Sequence, residues 1–228
     1  MPKILSIETS TTVCSVAITA NGFTLASQKL FLEKSHSTLL TVLIDQVMKQ
    51  VELRMADIDA VAVSKGPGSY TGLRIGVSTA KGLCYALDKP LIAINTLQAM
   101  ANEVKHQRNS SALLCPMIDA RRMEVYTALY NGSLSELEPT SAKILDENSF
   151  YETLRDNQVL FFGNGANKFI GLKPDISNAI LVNDITPSAW SIGELAHQSF
   201  EKNVFESVAY FEPFYLKDFI ATKPKKVL

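Results

Sequence analysis

At 228 residues, with 46% hydrophobic and 20% charged side chains, the chain is long enough for one large core or two modest ones, and its composition excludes disordered, collagenous and coiled-coil classes. Its 22 basic and 23 acidic residues leave a formal charge of −1. That excludes the basic field with which free nucleic-acid binders hold phosphate backbones, so any RNA contact is expected to be local or shared with a partner.

In chain order, residues 3–8, 13–20 and 23–31 read as three strands. The last two are joined by Asn21-Gly22, a strong two-residue hairpin signal, so the three form an antiparallel meander. A helix is expected over 36–53, a buried strand over 58–64, a Gly-rich turn, a helix over 72–87, a strand over 91–94 and a further helix. A meander followed by strands separated by helices implies an α/β fold with a mixed sheet, ribonuclease-H-like rather than Rossmann. The opening then recurs: aligning Glu8 with Asp119 pairs Ile7 with Ile118, Cys14 with Val125 and Ala17 with Ala128, and leaves Asn21 and Asn131 one residue out of step. Two related lobes, or two hairpins sharing common turn chemistry, give that pattern. We place the boundary near Ala101, giving an N-terminal lobe over 1–100 and a second, reduced lobe over 101–228 whose C-terminal segment is free to return to the first. Beyond Asn131 only short strands are legible, over 142–145, 159–162 and 179–182, before a helix capped by Ser188. The basic tail Lys223, Lys225 and Lys226 reads as solvated.

Cys14, Cys84 and Cys115 are odd in number and lie far apart in apolar runs, which reads as core packing in a reducing compartment. No basic-then-apolar leader opens the chain, and no apolar run approaches the roughly 18–20 residues of a membrane span, so a cytoplasmic location without membrane contact is expected. His36, His106 and His197 have no metal-binding spacing, and no metal site is expected.

The strongest local signal is GPGSYTGLRIG, residues 66–76, between a buried strand and a helix. Gly66, Gly68 and Gly72 permit close backbone approach, Pro67 fixes the turn, and Ser69 and Thr71 can each cap the helix. The segment is either a tight capped turn or an anion site at the helix start; it lacks the P-loop lysine. Glu8, followed by Thr9, Ser10, Thr11 and Thr12, is either a turn-stabilising acid or a member of a nucleotide turn. Asp119 with Arg121, Arg122 and Glu124 is either a surface turn with internal ion pairs or a site receiving an anion through arginine. On the first helix, Leu40, Ile44, Val47 and Val51 form a core stripe, while Leu39, Val42 and Leu43 widen the apolar arc beyond what one sheet covers. On the second helix, Ile75, Thr79, Gly82 and Ala86 form a small-residue strip beside the core stripe. These seven are the candidate partner interface, unless the second lobe or a C-terminal helix covers them.

ILSIETS, KSHS, GPGSYTGLRIG, AKGLCYALDKPLIAINTLQAMA, DARRMEVY and EPFYLK together resemble the TsaB (YeaZ) family. The match is dense to about residue 130 and thin from there until the end. The resemblance implies an actin-like, ribonuclease-H-like (ASKHA) two-lobed fold with a trimmed second lobe. It also implies an accessory subunit of the bacterial machinery that makes threonylcarbamoyladenosine at position 37 of tRNAs reading ANN codons. The partners it implies are a TsaD-like catalytic paralogue and a TsaE-like ATPase, with a homodimer when alone and tRNA met only through the complex. No cofactor is expected on the isolated chain, ATP and metal belonging to the partner subunits. In the paralogue two histidines four apart bind the metal; here Thr96 and Met100 occupy those positions, and neither is a competent ligand for a hard or borderline divalent ion. Glu8 departs from the aspartate commonest in the family. The alternative is a free-standing ASKHA-type kinase or ATPase using Glu8, the turn over residues 66–72 and Asp119.

Overall fold

A computed structural model describes residues 1–31, 36–107, 111–172 and 177–217. The first two residues of KSHS and the tail lysines lie outside them. β1 (Lys3–Glu8), β2 (Val13–Ala20) and β3 (Phe23–Phe31) form the antiparallel meander, and Asn21 and Gly22 turn it with φ of 50° and 78°, the left-handed pair that such a hairpin requires. α1 (His36–Gln50), β4 (Ala60–Gly66), α2 (Tyr70–Leu87), β5 (Leu91–Asn95) and α3 (Thr96–Gln107) follow, with β4 and β5 parallel to β1. The first sheet has the order β3-β2-β1-β4-β5.

The second half repeats this plan. β6 (Leu113–Asp119), β7 (Glu124–Tyr130) and β8 (Glu136–Ile144) form a meander, and β9 (Val159–Phe162) and β10 (Ala179–Val182) add in parallel, in the order β10-β9-β6-β7-β8. The sheet is therefore complete, and the trimming lies in the helices: α4 (Tyr151–Asp156) and α5 (Ala166–Gly171) have six residues each, against 15 and 18 in α1 and α2. β8 has nine residues, longer than the four expected over 142–145. α6 (Ala189–Glu201) closes the repeat.

The two terminal helices of the repeats are exchanged between lobes. Leu97, Met100, Ala101 and Val104 of α3 pack with Leu114, Ile118 and Phe162 of the second sheet, whereas Ile192, Leu195 and Ala196 of α6 pack with Ile4, Ala60, Ala62 and Ile92 of the first. α1 and α2 cover the outer face of the first sheet, around Leu5, Ile7 and Val63, while α4 and α5 cover that of the second, around Met117 and Phe161. Because strand side chains alternate, each sheet is apolar on both faces and five layers result.

After α6 the chain returns along the first lobe as a strap. Glu206 N donates to Leu91 O (2.9 Å), Lys81 Nζ donates to Ala209 O (3.2 Å) and Phe211 O (3.0 Å), and Phe214 N donates to Lys65 O (2.7 Å). No helix among the described residues is long and apolar enough to cross a membrane.

Candidate functional site

The topology brings the candidate turns to one place. A cleft of about 900 Å3 opens between the lobes, lined by Ser10, Thr11 and Thr12 after β1, by residues 67–72 before and at the start of α2, by residues 118–122 after β6, and by residues 214–217 of the strap. Gly68, Ser69, Thr71, Gly72, Asp119, Arg121 and Arg122 all line it; Glu8 and Gly66 do not.

The glycines of the loop face the protein's own backbone. A Cβ on Gly68 would lie 2.3 Å from Ser10 O, one on Gly72 2.1 Å from Thr9 O, and one on Gly66, whose φ is +112°, 2.7 Å from Phe214 O. Ser69 N donates to Ser10 O (2.6 Å) and Thr9 Oγ1 donates to Gly72 O (2.8 Å), so the loop is stitched to the turn after β1. Ser69 caps α2, its Oγ accepting from Gly72 N at 3.3 Å. Thr71 is an exposed residue of the first helical turn rather than a cap, because the helix already begins at Tyr70.

Glu8 lies beneath the cleft floor, fully buried. Its Oε1 accepts from Ser10 N (2.5 Å), and the hydroxyls of Ser10 and Ser64 stand beside the carboxyl without the alignment of a full hydrogen bond, leaving Oε2 unpaired. Burial raises its pKa above the ordinary carboxylate value, outweighing the opposing hydroxyls, the Ser10 amide and the more distant Lys29. A carboxyl whose folded pKa is raised contributes stability that is complete below its unfolded pKa and lost as pH rises through the folded one. Glu8→Gln is therefore expected to melt above the parent at pH 8, with the difference closing towards pH 4.5. Thermal melts across that range check it, and a lower melting temperature for Glu8→Gln at pH 8 would contradict a carboxyl disfavoured by burial.

The second-lobe turn does not form the internal ion pairs of the first of its two readings. Asp119 Oδ1 pairs with Lys168 of α5 (2.7 Å) and accepts from Arg121 N (2.6 Å), while Glu124 pairs with Lys217 of the strap. Distant lysines thus take the acids, and neither Arg121 nor Arg122 has a side-chain ion pair among the described residues. Both arginines hold positive φ, 72° and 48°, a region that costs a non-glycine residue about 1 kcal/mol or more. Lys168, Asn164, Tyr215 and Lys217 carry no local sequence signal, since each acts across 45 or more residues. EPFYLK was the one visible trace of the strap.

On the helices, Val42 is 44% exposed and Leu39 half-buried, but Leu43 is 2% exposed and belongs to the core with Leu40, Ile44 and Val47. α1 lies against β2, β3 and α2 together, which widens its buried arc to include Leu43. On α2, Gly82 and Ala86 are exposed, Thr79 is half-buried, and Ile75 packs partly on the core. Thr96 and Met100 are fully buried and outside the cleft lining, Met100 within the second-lobe cluster. Among the described residues no three His, Cys, Asp or Glu side chains are grouped to hold a metal. The three cysteines are buried, and burial pushes the thiols of Cys14 and Cys84 up to about 11 and that of Cys115 to about 12, which suppresses thiolate chemistry.

Residues 30–228 match the family model of TsaD, tRNA N6-adenosine threonylcarbamoyltransferase. The tRNA threonylcarbamoyladenosine biosynthesis protein TsaB of Bacillus subtilis (strain 168) is 35% identical over 166 residues, covering 71% of this chain and 70% of that one. Its namesake from Escherichia coli (strain K12) is 29% identical over 231 residues and 97% of both chains. YeaZ from Pseudomonas aeruginosa superposes with a TM-score of 0.81 at 23% identity, over 95% of this chain and 100% of that one. A more distant likeness of fold, with a TM-score of 0.53 at 10% identity over 88% and 96% of the two chains, is the activator of 2-hydroxyisocaproyl-CoA dehydratase from Clostridium difficile with bound ADPNP. With a TsaB relative 35% identical over 71% of its length, the chain of doubled βββαβαβα plan belongs to the TsaB (YeaZ) family.

Proposed function

We propose that the chain is a non-catalytic subunit in tRNA threonylcarbamoyladenosine biosynthesis, supporting a TsaD-like catalytic paralogue as that partner transfers threonylcarbamoyl to adenosine 37. The observation that carries this reading is the occupied loop. A phosphate cradle needs free N–H groups at the helix start, whereas here Ser69 N is given to Ser10 O and Gly72 N to Ser69 Oγ, with Thr9 O, Ser10 O and Phe214 O packed on the Cβ sides of Gly72, Gly68 and Gly66. The burial of Thr96 and Met100 away from the cleft supports it further. In this reading ATP and metal reside on the paralogue and a TsaE-like ATPase, and the first-lobe helices present Val42, Gly82 and Ala86 to the partner or, in its absence, to a second copy.

Reconstitution tests it. With threonine, bicarbonate, ATP and tRNA the isolated chain is expected to yield no modified nucleoside by mass spectrometry, and the remaining components are expected to be inactive without it. Product from the chain alone, or full turnover in its absence, would each refute the assignment. A second reading, a free-standing kinase or ATPase, draws on the volume of the cleft and on Arg121 and Arg122 beside it. Calorimetry of the isolated chain with magnesium-ATP separates the two, since only the second expects saturable binding.

A further inference from the structure

The tip of the β6–β7 hairpin takes a left-handed turn, and two exposed arginines fill it. Arg121 and Arg122 both hold the left-handed conformation that glycine or asparagine adopts at least cost, and paired non-glycine residues there point to a role for their side chains. The acids beside them are already neutralised, Asp119 by Lys168 and Glu124 by Lys217, and both guanidiniums are exposed without a partner among the described residues. Tyr70 and Tyr215 line the same cleft with ring centroids 4.8 Å apart, and Arg74, outside the lining, stacks over the Tyr70 ring at 5.4 Å. Glu212, near Tyr215 on the strap, has no ion-pair partner among the described residues. The rim is therefore positive within a chain of net charge −1, and its cations alternate with aromatic faces.

We propose that this rim, centred on Arg121 and Arg122, is an RNA contact made by the chain itself, its arginines taking backbone phosphates of the tRNA. The inference rests on the function proposed above and departs from the expectation that tRNA is met only through partners. A guanidinium matches a phosphate with two parallel hydrogen bonds, and the exposed Tyr215 ring offers an unpaired base a stacking surface without sequence preference. The backbone of a polymer fits better than a free nucleotide. Ser69 N and Gly72 N at the start of α2 are already used within the chain, whereas Arg121 and Arg122 are exposed, where a ligand too large to enter the cleft still reaches them.

The test measures binding of an unmodified tRNA transcript to the chain assembled with its catalytic paralogue, over a series of salt concentrations. Arg121→Gln with Arg122→Gln is expected to weaken binding about tenfold or more and to flatten the log-log salt dependence by about 1.4–1.8, the loss of two phosphate contacts. Arg121→Gly with Arg122→Gly is expected to weaken RNA binding equally while melting at or above the parent, because glycine relieves the left-handed backbone; a merely structural pair would lower the melting temperature. Unchanged affinity and slope overturn the proposal. So does loss of the paralogue instead of the RNA, which would make the tip a protein contact, or loss of ATP affinity with RNA binding intact. Co-purification with the paralogue and the omission experiment are read separately: if the chain neither pairs nor is required, the function itself fails, whereas pairing and requirement with unaltered RNA binding sinks the RNA contact alone.

Discussion

Gly72→Ala is expected to destabilise the chain by about 2 kcal/mol or more, because the new methyl would lie 2.1 Å from Thr9 O, a backbone atom that cannot rotate away. For a protein of this length that corresponds to a melting temperature roughly 4–8 °C lower. Gly82→Ala, ten residues along the same helix, is expected to do the opposite. Nothing lies within 4 Å of its added Cβ, and alanine in a helix interior is favoured over glycine by about 0.5–1 kcal/mol. The pair of thermal melts discriminates sharply. An unchanged melting temperature for Gly72→Ala would overturn the close packing of α2 on the turn after β1.

Val42→Glu is expected to alter the stability of the isolated chain by under about 1 kcal/mol, since the side chain is 44% exposed. Within a helix-to-helix contact, however, the unpaired carboxylate would lose its water at a cost of several kcal/mol, a hundredfold or greater loss of affinity. Its neighbour Leu43, 2% exposed in the first core, supplies the control: Leu43→Glu buries a charge and is expected to unfold the lobe. Sedimentation with the paralogue, together with melts of the isolated variants, reads both. Unfolding by Val42→Glu would place that face inside the molecule, and normal pairing by a stable Val42→Glu would move the partner elsewhere.

What the sequence disclosed was local. The strand runs over 3–8, 13–20 and 23–31 and the Asn21-Gly22 turn gave the first meander at its observed bounds, and Ser69 was legible as a cap because the capping bond spans three residues. The repeated opening foretold two sheets of one topology. β8 was read short because Glu136–Ile144 is a half-polar edge strand containing Pro139, a residue tolerated only where no ladder bond is needed. Leu43 was misplaced because a single 100° stripe underestimates the arc of a helix wedged against strands and a second helix. Internal ion pairs, one of two readings of the second-lobe turn, do not form because Lys168 and Lys217 arrive from 49 and 93 residues away. Glycines that chemistry associates with phosphate are required here by Thr9, Ser10 and Phe214, and only the tertiary fold can tell those causes apart.

The exchange of α3 and α6 also sets an order of events at synthesis. The inner face of the first sheet, with Ile4, Ala60, Ala62 and Ile92, is sealed by α6, whose residues are made about a hundred positions later. At roughly 5–20 residues per second, that face stays open on the growing chain for about 5–20 seconds. Neither half can mature as a separate unit, because each waits for a helix encoded in the other. A fragment ending near Ala101 would cut α3 in half, leave what remains of it without its second-sheet cover and the first sheet without its lid, and its place in the insoluble fraction on expression would mark the two lobes as one cooperative folding unit.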